Sequence, residues 1–233
     1  MPRPLLLFLL TLLTAALPAQ AVEPPPPPPP TAAVLYFDYA GTDASLAVLR
    51  KGLAQMLISD FAAVPGVHIV ERDRLQEVLQ EQKLSKSKKF DPSTAARLGK
   101  LLGAKYLVLG GYFSLGETLR VDARVVEVET GRVLKSVGVG GKLADFLEIE
   151  QKLSRELGGQ LEELTLTSRL AEPPRDIPKP PMQLAMATAV RYATALDLKD
   201  AGKRKEAVAE LQAVVAQQPD FALAQADLQR MLR

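Results

Sequence analysis

The chain has no cysteine and no tryptophan, and His68 is its only histidine. Without cysteine there is no disulfide, no thiolate nucleophile and no thiolate metal ligand. One histidine rules out His-rich metal sites and leaves a histidine-assisted nucleophile a single candidate base. Aromatic residues make up only 5% of the chain, so stacking platforms for bases or sugars are poorly supplied. Neither sign of charge dominates. The 29 basic residues face 27 acidic ones, a formal +2 that gives no argument for nucleic acid. The apolar run at residues 5–16 is short of the ~20 residues that cross a bilayer core.

That run instead reads as the core of a secretory signal. Arg3 precedes it, Pro18 breaks it, and Ala19-Gln20-Ala21 has the small-x-small pattern before a cleavage site. The expected signal peptide is 1–21. No cysteine follows to accept a lipid, and folding in an oxidising space must rest on core packing alone.

Proline sets the next boundaries. Residues 24–30 are seven consecutive prolines, expected as a polyproline II spacer of about 20 Å within a 22–31 linker. A second cluster, PPRDIPKPP, lies in a 167–181 linker. A central domain of 32–166 and a tail of 182–233 are what these linkers leave.

Periodicity orders the central domain as β-α-β-α-α-β-β-β-α. Residues 33–37 (AVLYF) read as a buried strand. Residues 44–63 read as a helix with Leu46, Leu49, Leu53, Met56, Leu57 and Phe61 on one stripe. Strand 67–70 and helix 72–82 follow, the helix turning Leu75, Val78 and Leu79 inward. Asp91-Pro92 opens a short helix that Gly103 ends. Residues 106–113 are a strong strand. Leu119, Val121, Ala123 and Val125 alternate with Arg120, Asp122 and Arg124, as in a half-exposed strand. Glu129-Thr130-Gly131 turns into strand 133–139. Phe146, Ile149, Leu153, Leu157, Leu161 and Leu164 mark a long amphipathic helix. The expected class is α/β (α+β): a mixed-sheet sandwich with helices on one face, then a small all-α hairpin.

Motifs that suggest chemistry fail on inspection. Residues 136–143 (SVGVGGKL) resemble a phosphate loop, but Ser136 stands at the first glycine and Leu143 where a hydroxyl should hold magnesium. Gly110-Gly111 precedes strand and not helix. Asp122 and Glu127 have odd spacing on a strand and face opposite sides, which weakens a carboxylate hydrolase. The Glu71-Arg72-Asp73 corner reads as helix capping by Asp73 and a local ion pair, with a polar site there as the alternative. No catalytic residue, cofactor site or metal site is expected.

The segments VHIVERDRLQEVLQEQKLS (67–85), AARLGKLLGAKYLVLGGYF (95–113) and LRVDARVVEVETGRVLKS (119–136) together resemble the curli-secretion-channel (CsgG) family. Its relatives include the flagellar FlgO proteins and the amino-terminal domain of TolB. Gly110-Gly111 and Thr130-Gly131 are the sharpest matches. The resemblance implies a non-enzymatic part of the bacterial envelope, in the periplasm, with outer-membrane association. In the family's channel, long alternating segments after the strand at 106–113 and after the hairpin form the barrel. Here 113–119 is a short loop and Gly141 runs straight into helix, so a barrel hairpin of two 9–11-residue strands has no room. The role this implies is accessory: assembly or scaffolding for a curli-like, flagellar or polysaccharide system, with protein partners and self-association. Membrane contact is peripheral at most, and nucleic acid is not a partner.

The tail resembles one tetratricopeptide repeat, through Ala195, Gly202, Ala207, Leu211 and Pro219. Such repeats need neighbours, so a single one implies docking on the central domain or on another copy. Two interaction surfaces follow. One is the basic loop of Lys83, Lys86, Lys88 and Lys89, read either as a plain solvated loop or as a contact for an anionic partner. The other is the tail face of Tyr192, Leu198 and Leu211, for which the alternative is an amphipathic helical hairpin with no ligand groove. An alternative function is a stand-alone periplasmic adaptor that binds a protein partner through this tail.

Overall fold

The computed structural model describes residues 28–84, 91–166 and 184–233. The signal peptide, most of the proline run, Lys86, Lys88, Lys89 and the second proline cluster lie outside the described residues.

Thr31–Val34 forms β1, and Asp38–Tyr39 forms β2. The strand expected at 33–37 is therefore split: Leu35 still donates to the Val108 carbonyl, but Phe37 donates to Arg50. The helix expected at 44–63 is also split, at Val48, into α1 (Ala44–Ala47) and α2 (Leu49–Phe61). Its apolar stripe survives the break. Leu46, Leu49, Leu53, Met56, Leu57 and Phe61 are all buried. Full burial contributes roughly 1.5–3 kcal/mol for each such side chain, which is how a core without disulfides is held. Strand β3 (His68–Ile69) and helix α3 (Arg72–Glu81) come next.

Helix α4 (Pro92–Leu101) starts as its sequence dictates. The Asp91 carboxylate accepts the Ser93 and Thr94 N–H groups at 3.0 Å, and Pro92 sits in the first turn. Gly103 takes φ +64°, the left-handed exit that favours glycine. Strands β4 (Tyr106–Leu115), β5 (Thr118–Glu127) and β6 (Val133–Lys142) form an antiparallel meander. Gly116 (φ +57°) and Glu117 alone join β4 to β5. After a short 3-10 turn at Leu143–Asp145, α5 runs over Phe146–Leu166. The tail is α6 (Met186–Asp200), α7 (Arg204–Gln217) and α8 (Ala222–Leu232).

The six-stranded sheet has the order β3-β1-β4-β5-β6, with β2 also beside β4. Strand β1 is parallel to β3 and β4, so the sheet is mixed as expected. Register assigns the two faces. Val108, Tyr112, Leu119, Val121, Ala123 and Val125 share one face and are buried. Helices α2 and α5 lie on that side. The expectation of helices on one face holds for these two; Gly99 of α4 reaches the opposite face at Leu107. Gly110 is fixed by the ladder. A Cβ there would run into the Asp122 carbonyl oxygen and the Ala123 Cα, and backbone cannot yield as a side chain can.

Candidate functional site

The tail docks on the central domain, and the docking surface is the most heavily built polar site among the described residues. Helices α2 and α6 approach closely. A Cβ at Gly52 would lie 2.9 Å from the Ala193 Cβ, so glycine opposite alanine is what permits the distance. Around this contact three cations meet three carboxylates. Lys51 reaches Asp197 at 2.6 Å and Asp200 at 2.8 Å. Arg72 reaches Asp200 at 2.8 Å and Asp73 at 2.9 Å. Lys199 ends the chain of pairs on Asp73 at 2.7 Å. The Arg72 side chain is 2% exposed and that of Asp200 6%. A carboxylate at the end of α6 opposes the helix dipole, so its place there is held by its two cations.

The rest of the Arg72 environment is equally specified. Its Nη1 donates to the Tyr36 hydroxyl at 3.3 Å, and that hydroxyl donates to Gln76 Oε1 at 2.9 Å. Burial pushes the Tyr36 phenol far above its ordinary range, so it stays a neutral donor. Burial pushes Asp73 up, but Lys199 and Arg72 outweigh it and hold the carboxylate below its usual range.

This corrects the reading of the Glu71-Arg72-Asp73 corner. Glu71 is the N-cap and makes no side-chain cap bond; Asp73 lies in the first turn. The Arg72–Asp73 pair exists, but both residues also reach the tail, more than 120 positions away in the chain. No local pattern signals such a pairing.

The expected tail surface is placed differently. Tyr192 is fully buried, stacks edge-on against Phe221 at 5.0 Å, and donates to Asp227 Oδ2 at 2.6 Å. Leu211 is buried in the same cluster, and Leu198 is half-buried against it. Tyr192 and Leu211 therefore offer no face to a ligand: they close the helices on one another. Lys83 is exposed, with φ +57°. The other three lysines lie outside the described residues. His68 is exposed on the edge strand β3.

Residues 136–143 continue strand β6, not a phosphate loop. The sheet face away from α2 and α5 carries a shallow basin of about 520 Å³, lined among others by Tyr36, Asp38, Arg120, Asp122, Arg124 and Gly138. Arg120 and Asp122 pair there at 2.8 Å. Among the described residues, no group of three His, Asp or Glu is placed to hold a metal ion, and no helix is long and apolar enough to cross a membrane.

Residues 30–120 match the family described as curli production assembly/transport component CsgG. That stretch of the central domain is similar to the CsgG family. No curated protein matches the chain. Among solved structures, the LpoB C-terminal domain from Salmonella enterica is 15% identical at a TM-score of 0.42, with 49% of this chain and 84% of that one covered. Lipoprotein GNA1162 from Neisseria meningitidis is 17% identical at 0.38, covering 49% and 81%. A PelC dodecamer from Paraburkholderia phytofirmans is 15% identical at 0.32, covering 59% and 92%. The match to the CsgG-like domain takes in β1 to the start of β5 and all of α2, α3 and α4, which includes Lys51, Arg72 and Asp73 but none of the tail residues they bind.

Proposed function

We propose that this chain is a non-enzymatic periplasmic scaffold, accessory to an outer-membrane secretion or surface-structure system. The observation that carries the reading is the CsgG-like domain, whose family description is an assembly and transport component. Its meander supports the accessory role. A two-residue turn joins β4 to β5, and β6 leads through three residues into α5, at the places where the family's channel extends its barrel segments. The signal-like residues 1–21 support export.

The tail belongs to the scaffold. Tyr192, Leu211 and Phe221 close on one another, Ala193 packs on α2, and the tail's acidic end is spent on Arg72 and Lys51, so we place the partner surface elsewhere. Formaldehyde treatment of intact cells that carry the tagged chain tests this. Discrete adducts with envelope proteins or with further copies of the chain are expected. Recovery of uncross-linked monomer alone would contradict the reading.

A further inference from the structure

We propose that the free edge of β6 is a docking site for an extended, acidic protein segment, which adds to the sheet as a further strand. Strand β6 ends the sheet order, and among the described residues nothing pairs with its outer side. An edge strand presents a row of unpaired N–H and C=O groups, and proteins normally blunt it with charge, proline, a bulge or a short length. β3, the other edge, is two residues long; β6 is ten. Lys135 and Lys142 stand near its ends, but the six residues between them, 136–141 (SVGVGG), carry no charge and no proline. The one register shift is at Val125/Val126, beyond this stretch.

Gly140 points the same way, whereas Gly138 makes room for Arg120 and Gly141 for Ile149. A Cβ at Gly140 would meet nothing nearer than the Leu119 carbonyl oxygen at 3.6 Å, so the fold itself does not require glycine there. Glycine within a strand weakens it, and often marks close approach of another backbone.

Charge identifies the occupant. A groove of about 700 Å³ runs along residues 135–140 and is walled on the α5 side by Lys152, Arg155 and Glu156. Lys135, Lys152 and Arg155 outnumber Glu156, which lies 3.9 Å from Lys135, and Glu148, which holds Lys152 at 2.8 Å. A second copy of this edge would bring the same cations together, so an acidic strand fits better. Its alternate side chains would face Lys152 and Arg155. The others would lie beside Ser136, Gly138 and Gly140 on the opposite sheet face. In this mode main-chain hydrogen bonds supply affinity and alternate side chains supply specificity.

The test uses a capped ten-residue peptide of alternating Glu and Thr, titrated into the full isotope-labelled chain at low salt. Amide shifts are expected along 135–142 and at Lys152 and Arg155. They should weaken at least tenfold in Lys152→Glu/Arg155→Glu, whose two sites are exposed and whose fold is checked by its unperturbed spectrum elsewhere. One of the two frames of alternate N-methylation of the peptide should abolish them, because strand addition needs its N–H donors. No shifts on β6 at saturating peptide would overturn the proposal, as would equal shifts from a control peptide of alternating Lys and Thr or insensitivity to both N-methylated frames. Growth of the free chain's own mass with concentration, blocked by the same double substitution, would assign the edge to a second copy and overturn it too.

Discussion

Asp200→Ala is expected to cost about 3–5 kcal/mol, the range for removing one partner of a buried ion pair. The loss is large because of what remains. Arg72 is 2% exposed and would keep the Tyr36 hydroxyl but only one carboxylate, Asp73, whose side chain is 53% exposed, while Lys51 would keep only the half-exposed Asp197 as its carboxylate. Asp197→Ala is the internal control. That carboxylate is 41% exposed, and surface pairs contribute about 0–1 kcal/mol. Urea unfolding of both variants checks the contrast. The pair Arg72→Met/Asp200→Leu should recover much of the loss, because apolar packing of similar volume can replace a buried pair. Equal, small effects of Asp197→Ala and Asp200→Ala would mean that the tail is not anchored through Arg72.

The second large effect has the opposite sign. Glu150 is 2% exposed on α5, and its Oε1 has no hydrogen-bond partner. Burial pushes its pKa up to about 8, with Arg155 opposing. The folded state therefore holds a proton that the unfolded chain releases near its ordinary 4.5. Stability is fully present below pH 4.5 and falls as pH rises toward 8, by about 1.4 kcal/mol per pH unit at most. Glu150→Leu should remove this slope and raise stability at pH 7 by about 2–3 kcal/mol, within the penalty for a buried group that lacks a partner. Denaturant melts at pH 5 and pH 8 measure it. Two parallel pH profiles would show that Glu150 is already satisfied.

Where the sequence was legible, one element alone carried the signal. Alternation in β5, the stripes of α2, α3 and α5, and the Asp91-Pro92 helix start are all local, and all appear where their periods and caps place them. The glycine pair 110–111 was also legible, and the structure supplies its reason: Gly110 clears Asp122 and Ala123 across the ladder, and Gly111 admits β2 at Asp38. What was hidden depends on tertiary contact. Arg72 looked like half of a local pair because Asp200 is 128 residues away. Tyr192 and Leu211 looked like a ligand face because an apolar stripe does not state what it covers; here it covers Phe221 and the facing helices. The free edge of β6 appears only once the strand order is known.

Absence of cysteine makes the most direct test of the envelope reading clean, since any introduced thiol is unique. Ala209 is exposed on α7, so Ala209→Cys leaves the core and the tail junction untouched. A maleimide that does not cross the inner membrane should label this variant in cells with a permeabilised outer membrane as fully as after lysis. Labelling only after lysis would place the chain in the cytoplasm and contradict a periplasmic scaffold.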